Sequence, residues 1–551
     1  MNRLRTVTVA ISAAAGLFLP HVLLGQVPPT AGLQVDEIFA PWSLVTSPGC
    51  AVGVSKDGLN IFARGYGMAD LEHDVPNTAE TIFEGGSLSK QFTAAAIMLL
   101  VMDGKLSLDD DVRDYIPEVP DYGTTVTLRH MMTHTSGLRD WGSVAQISGW
   151  GRGERSHDHA DVLDIVSRQS ALNFEPGHEY SYSNTGYNLL AIIVGRVSGM
   201  SFAEFSSKRI FEPLGLEHTQ WRDDYRRIVK GRSAAYTALA DGTFEINRPT
   251  EYVHGNGGIL TTVGDLLTWN QALTTGRLGG REFVALMHET GRLNDGSDIV
   301  YAGGLRVAES VGVPAVSHTG STAGYRAFTA RYPDQGIAVA MLCNVTNVPT
   351  GGTGARIARE FLGAVPDPVV PAGVGVPRDR LAALTGLYRE PVTGGTMRVD
   401  LAGGVLRVDG RTDLVPLSDT EFQVGSGSRR YVFETREGGR PTIHVESWEY
   451  TDHRYEPVEP AEPSLAELRA YEGQYYSADA ETTFVVRIED GGLTVWQRPD
   501  VTRTLAPIYQ DGFRAGGNIV RFRRNSSGRV VALSLSLGRV YDMRFERVNL
   551  N

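Results

Sequence analysis

The sequence predicts a mixed α/β domain, an antiparallel sheet packed against a helical subdomain, followed by two small antiparallel β-barrels. Three observations lead there. Strand-like apolar runs stand at both ends of the first two thirds of the chain and enclose a mostly helical region from Ser87 to about Leu216. The prolines Pro366, Pro368, Pro371 and Pro377 then mark a stiff linker. Beyond it, short alternating runs separated by glycine-rich turns repeat with a period of roughly ninety residues, which suits a duplicated small β domain.

In chain order, residues 1–25 read as a secretory leader. Met1-Asn2-Arg3-Leu4-Arg5 supplies a positive start, the apolar stretch from Val7 to Leu24 the hydrophobic part, and cleavage near Gly25 is expected. Pro20 and His21 interrupt that stretch, which disfavours a membrane anchor. Residues 33–364 form the expected α/β domain, opening with the strand-like Cys50-Ala51-Val52-Gly53-Val54-Ser55 and closing with Gly336 to Cys343. A cleft between sheet and helices is the expected site. Residues 378–458 and 464–551 are the two barrels, separated by Pro457, Pro460 and Pro463. Their repeat is explicit: Leu384-Thr385-Gly386-Leu387-Tyr388 matches Tyr471-Glu472-Gly473-Gln474-Tyr475, and Tyr431-Val432-Phe433 matches Val520-Arg521-Phe522.

Ser87-Leu88-Ser89-Lys90 carries the chemistry. Serine and lysine three residues apart fall on one face of a helix, about one turn from each other. A serine hydroxyl needs a base to become a nucleophile, and a lysine whose charged form is disfavoured by burial can be that base. Of the five lysines only Lys90 has a serine three positions earlier. Taken alone, the same residues also suit a capped amphipathic helix with a solvated lysine. Two further segments accompany it. Tyr180-Ser181-Tyr182-Ser183-Asn184 follows the turn Pro176-Gly177 and precedes an apolar helix, so it can aim Tyr182 and Asn184 into a cleft. His318-Thr319-Gly320-Ser321 lies in a strand-like run whose edge can offer N–H groups to a substrate and its oxyanion.

These three segments, in this order, resemble the serine β-lactamase and D,D-peptidase superfamily, in its class C-like, esterase and D-aminopeptidase branch. Supporting segments between Pro48 and Asn344, among them Thr127 to Leu138 and Gly257 to Asp265, are similar to framework motifs of that superfamily. The resemblance implies an exported serine hydrolase working through an acyl-enzyme on an ester, a D-amino-acid amide or peptide, or a β-lactam. It implies Ser87 as nucleophile, Lys90 and Tyr182 as a shared proton relay, and Asn184 as the group orienting them. Ser87 and Ser321 N–H groups would form the oxyanion hole, with His318, Thr319 and Gly320 lining the substrate strand. Most relatives of lactamase type carry lysine where His318 stands, and a neutral imidazole weakens the anchor for a substrate carboxylate. That favours ester, D-aminopeptidase or amidase activity at least as much as lactam hydrolysis. The paired barrels resemble accessory domains of some D-aminopeptidase-like members. The resemblance also makes the strands of Cys50 and Cys343 antiparallel neighbours; a disulfide and two buried thiols both remain open.

Other readings are weaker. A non-hydrolytic, penicillin-recognising cell-wall sensor or binding protein would be expected to have lost one member of the set. A metallohydrolase draws on His130 and His134, four apart, but Met131 stands where that spacing needs glutamate. Those two histidines are read as hydrogen-bonded framework, and Ser156-His157-Asp158-His159 as a solvated loop. Glu175, before Pro176-Gly177, is a turn residue and not a hydrolytic-water base. No cofactor and no metal are expected. The net charge of −12 argues against nucleic acid or an anionic membrane as partner. The expected partner is a small-molecule or peptide substrate, with no stable membrane span after processing, and the oligomeric state is left open.

Overall fold

The computed structural model describes residue 28 and residues 30–366, 369–434 and 439–548. The expected leader, residues 1–25, lies outside them. A six-stranded antiparallel sheet runs in the order Arg306–Ser310, Val313–Thr322, Tyr325–Tyr332, Ile337–Cys343, Cys50–Lys56, Leu59–Tyr66. The first strand of the chain thus pairs with the last of the sheet, and Cys50 lies directly opposite Cys343. The two are joined as a disulfide, which resolves the alternative left open above.

All seven residues of Ile337–Cys343 are buried, because the sheet is covered on both faces. The helices Ala31–Phe39 and Thr350–Leu362 cover one face. The other packs on the helical subdomain through Val263–Thr275. At the centre of that subdomain lies the helix Ser89–Met102, in which Ser89 through Leu100 are all buried. This explains why it is apolar all round instead of striped, and it rules out the solvated-lysine alternative.

Downstream, each repeat closes into an eight-stranded antiparallel barrel, the first from Gly386–Arg389 to Tyr450–Val458, the second from Gly473–Ser477 to Val540–Val548. The matched pentapeptides have a matched role. A short helix precedes each barrel, Arg378–Ala383 and Leu465–Leu468. Tyr388 donates its hydroxyl to Leu384 O at 2.8 Å, and Tyr475 donates to Tyr471 O at 2.7 Å. The intervening glycines take positive φ, 146° at Gly386 and 153° at Gly473, and any side chain there would press on Arg440 or Arg547.

The barrels dock on the α/β domain and on each other. Arg139 pairs with Asp479 at 2.6 Å in a buried contact, where Gln169 and Ser170 also donate to Asp479. Gln497 donates to the backbone carbonyls of Gln146 and Ile147. In the first barrel, Glu449 O accepts from Tyr180 N–H at 2.8 Å and the Trp448 ring lies 4.9 Å from that of Tyr180. Tyr509 donates to Gly394 O across the two barrels.

Replacing both cysteines by serine is expected to lower unfolding stability by about 2–4 kcal/mol, since the bond closes most of the α/β domain into one loop; denaturant titration of the variant against the native chain measures this. Asp479→Ala leaves the buried Arg139 guanidinium unpaired and is expected to cost about 3–5 kcal/mol, read by calorimetry as earlier melting with the second barrel uncoupled from the α/β domain.

Candidate active site

Ser87 sits in a single 3-10 turn, Gly86–Leu88, that leads directly into the Ser89–Met102 helix. The turn is pressed against the Val313–Thr322 strand. Gly86 has φ +52°, and a Cβ there would stand 2.8 Å from Ser321 N. A Cβ on Gly320 would stand 2.0 Å from Gly85 O. Glycine at these positions lets the nucleophile turn and the strand approach backbone to backbone, which brings Ser321 beside Ser87. Ser89, one residue before Lys90, fixes the turn by donating to Gly86 O at 2.6 Å and accepting from Ile259 N–H at 2.9 Å.

Lys90 is fully buried one helical turn beyond Ser87. Its Nζ is 3.3 Å from Ser87 Oγ, 2.9 Å from Asn184 Oδ1 and 2.7 Å from the carbonyl of Asn256. Burial, reinforced by Arg539, holds its pKa well below the ordinary lysine value, which favours the neutral amine. The Tyr182 ring centroid is 4.7 Å from Nζ. Burial raises the Tyr182 phenol well above its ordinary value, an effect the neighbouring Ser87 hydroxyl partly offsets. Tyr182 is therefore protonated.

Asn184 is the first residue of the Asn184–Ser198 helix. Its backbone N–H donates to Asp140 Oδ2 at 2.7 Å, which fixes the side chain that receives the lysine. Asn188, one turn on, donates to both His254 O and Asn256 Oδ1 and accepts from Trp141 Nε1 at 2.8 Å. Thr93 donates to Gly255 O at 2.8 Å. The loop that offers Asn256 O is thereby tied to two helices.

His318 is buried in the strand. Its Nδ1 lies 2.6 Å from Thr319 O, so that nitrogen carries the proton, and Nε2 accepts from the Tyr301 hydroxyl at 2.8 Å. Burial pushes its pKa down to about 3. The imidazole is thus neutral, as the sequence suggests, but its ring is 6.3 Å from that of Tyr182 and its hydrogen bond goes to Tyr301. The strand Arg306–Ser310 pairs with Val313–Thr322 only as far as Ser317, so the stretch from His318 onward has a free edge facing the cleft.

The cleft encloses about 410 Å³ and is lined by Ser87, Tyr182, Asn184, His318, Thr319 and Ser321 among the residues expected from sequence. Lys90 lies beneath its floor, and Gly320 serves the backbone contact with Gly85 and does not line it. Sequence reasoning missed Asn256, Tyr301, Tyr180, Arg152, Arg306 and Arg539, which also line it. Asn256 stands in Gly255-Asn256-Gly257-Gly258, a turn signal, and Tyr180 opens the segment that carries Tyr182 and Asn184; the others have none. Arg539 arrives from the second barrel, with its guanidinium carbon 4.9 Å from the Tyr182 ring centroid.

His130 and His134 are hydrogen-bonded framework, as expected, while the loop expected at His157–His159 needs correction. The helix containing His130 ends at Met132, and His134 follows in a left-handed conformation, φ +60°, so the pair does not share a helical face. His130 accepts from Thr127 N–H as part of a helix cap. His134 instead lies behind the site, 4.2 Å from the Tyr182 ring, accepting from Ser183 N–H at 3.2 Å. His157 is buried against Trp141, and Asp158 caps the helix His159–Ser167, because a helix begins where a solvated loop was expected. Glu175 accepts a turn hydrogen bond from His178 N–H. No group of three or more His, Cys, Asp or Glu side chains that could hold a metal occurs among the described residues.

Comparison with known proteins agrees with this geometry. The Beta-lactamase family model matches residues 43–362. A D-aminopeptidase of Gluconobacter oxydans is 25% identical over 525 residues, covering 91% of this chain and 96% of the relative. Penicillin-binding protein 4* of Bacillus subtilis is 32% identical over 300 residues, covering 51% and 64%. Among solved structures, the octameric penicillin-binding protein homologue from Pyrococcus abyssi superposes with a TM-score of 0.54 at 25% identity, over 77% of this chain and 99% of that one. D-amino acid amidase from Ochrobactrum anthropi SV3 superposes at 0.52 over 60% and 98%; at 22% identity this likeness concerns the fold alone. With the matched model spanning more than half of the chain and Ser87 lining the cleft above the buried Lys90, the chain belongs to the Beta-lactamase family and is a serine hydrolase of the β-lactamase and D,D-peptidase type.

Proposed function

We propose that Ser87 carries an acyl-enzyme in the hydrolysis of an amide, peptide or ester, with Lys90 as the base that starts the reaction. One observation carries this reading. A neutral amine has two hydrogens and one lone pair, and the two acceptors Asn184 Oδ1 and Asn256 O take both hydrogens. The lone pair then falls to the third neighbour, Ser87 Oγ, which donates its proton to it. Tyr182, protonated and beside Ser87, is the donor for the leaving group.

In the forward step Ser87 Oγ attacks the carbonyl while its proton passes to Lys90. The oxyanion is received by backbone N–H groups of Ser87 and Ser321, each contributing about 3 kcal/mol in hydrolases of known mechanism. The bond to the leaving group breaks as Tyr182 supplies a proton, and Lys90 returns one to the phenolate. Water then attacks the acyl-enzyme by the same relay in reverse and frees Ser87. His318 holds Tyr301 against the cleft wall and leaves the reacting proton to Lys90 and Tyr182. A complete relay favours turnover over non-hydrolytic recognition. The D-aminopeptidase relative favours amide or peptide substrates with a D-residue at the acyl position. Export belongs to the same proposal: the disulfide Cys50–Cys343 is at home in an oxidising compartment.

Ser87→Ala is expected to abolish turnover and the mass increment left by a fluorophosphonate, with the circular dichroism spectrum unchanged; full activity in this variant would refute the acyl-enzyme. Lys90→Ala and Tyr182→Phe are each expected to lower kcat by at least about 100-fold and, combined, to lose far less than the product of the two, as members of one relay do. The acid limb of the kcat/KM profile is expected well below the ordinary lysine value, because protonation of the buried amine removes the base.

A further inference from the structure

Proton transfer from Tyr182 to the leaving group creates a phenolate in a buried site, and an anion there needs hydrogen-bond donors. Ser87, its neighbour in the resting site, carries the acyl group at that moment and has no proton to offer. Lys90 holds the proton taken from Ser87 and keeps two of its hydrogens on Asn184 Oδ1 and Asn256 O. One further hydroxyl faces the phenol. Tyr301 is buried in the wall of the same cleft, its ring at 89° to that of Tyr182 with centroids 6.2 Å apart. Burial raises the Tyr182 phenol, and the Tyr301 hydroxyl is one of the groups that pull it back.

Tyr301 is fixed in every respect but one. Its ring packs on those of His134, at 4.6 Å, and Tyr180, at 5.7 Å. Its carbonyl accepts from Gly291 N–H at 2.9 Å, and the turn that follows is closed by Ala302 N–H donating to Leu305 O at 2.8 Å. Gly304, with φ +70°, seats that turn on the nucleophile helix, where a Cβ would stand 2.5 Å from Gln91 N. Rotation about the phenolic C–O bond stays free. In the resting site the O–H points to His318 Nε2 at 2.8 Å, an acceptor because Nδ1 carries the imidazole proton. That acceptor is uncharged, and a phenolate is the stronger one.

We propose that Tyr301 is a positioning residue for the general acid: its O–H turns from His318 Nε2 to the Tyr182 oxygen as the phenolate forms, and turns back once Tyr182 is reprotonated. The inference rests on the acyl-enzyme reading of Ser87 with Tyr182 as proton donor. In the step, the bond from the carbonyl carbon to the leaving atom breaks, the electron pair stays with that atom, and Tyr182 gives it a proton. The phenolate accepts the Tyr301 hydrogen bond while that proton stays on its own oxygen, and the Lys90 ammonium then returns a proton to Tyr182. His318 is the resting acceptor for a donor that acts elsewhere, a role that needs no charge on the imidazole.

The acetates of p-nitrophenol, phenol and ethanol share an acyl group and differ in how basic the released oxygen is, so their need for the Tyr182 proton rises in that order. Acid release in a pH-stat gives kcat/KM for all three. In Tyr301→Phe the ratio of ethyl to p-nitrophenyl acetate is expected to fall at least about tenfold, with phenyl acetate between them. Tyr182→Phe is expected to lower it further, and the double variant to lower it no more than Tyr182→Phe alone, because Tyr301 acts only through that phenol. A merely structural role lowers all three esters alike. Because the ratio is internal to each variant, partial loss of folded protein does not move it, and Tyr301→Leu reads the same ratio where the phenylalanine variant is scarce. An unchanged ratio in both, or a double variant whose loss is the product of the two single ones, overturns the role of Tyr301 and leaves the acyl-enzyme intact. Ser87→Ala that still hydrolyses the esters at the native rate, or native enzyme inert toward all three, overturns the acyl-enzyme reading and this role with it.

Discussion

Everything in the cleft depends on keeping one amine buried without its proton. An ammonium at the position of Lys90 would have to give up water for a pocket with two carbonyl-type oxygens and a hydroxyl, and the cost of that exchange is what holds the amine neutral. The pocket is built from three separate parts of the chain: the Ser89–Met102 helix, the start of the Asn184–Ser198 helix and the Gly255–Gly257 loop. Each is fixed by hydrogen bonds that do not involve the lysine. Ser89 locks the turn to Ile259, Thr93 holds Gly255, Asn188 ties the loop to Trp141, and Asp140 seats Asn184. Rigidity comes first and basicity follows from it, because a loose pocket would admit water and restore the charge.

The charged groups around this pocket are arranged so as not to disturb it. Glu84, three residues before Ser87, is buried and paired with Arg222 and Arg232, and Arg222 also donates to the carbonyls of Glu251 and Val253. This network runs behind the nucleophile turn and pairs the buried Glu84 carboxylate with two guanidinium groups, so it anchors the turn without leaving that carboxylate unpaired beside Ser87. His134 and His318, both buried and both far below their ordinary pKa, add polar contacts without adding charge.

What could be read from sequence was whatever is local. Ser87 and Lys90 are one helical turn apart, Tyr182 and Asn184 share one loop, and His318 to Ser321 share one strand, so their chemistry survives being read as short segments. The α/β order, the linker and the barrel repeat were legible for the same reason: periodicity and punctuation are local properties. Asn256, Tyr301 and Arg539 were not legible, because each matters only through where the fold brings it. A glycine-flanked asparagine reads as a turn until its carbonyl is found 2.7 Å from Lys90, and an arginine in a barrel hairpin gives no sign that its hairpin crosses to another domain. The position of His134 beneath Tyr182 was not legible for a related reason. Its four-residue spacing from His130 suggests a shared helical face, but the helix stops at Met132 and the left-handed turn that follows sends the ring under Tyr182.

The bond between Cys50 and Cys343 joins the point where the chain enters the sheet to the point where it leaves, with the two Cα atoms 4.0 Å apart. The reacting groups all lie on the covalent ring between them, and of the cleft lining only Arg539 comes from outside it. Tension applied to the chain before Cys50 and after Cys343, whether by a tether or by a receding substrate polymer, therefore passes from one strand to its neighbour through the sulfur bridge and bypasses the ring. Mechanically the α/β domain is a closed loop hung from a single link, and the reacting groups sit on the part of the loop that bears no load.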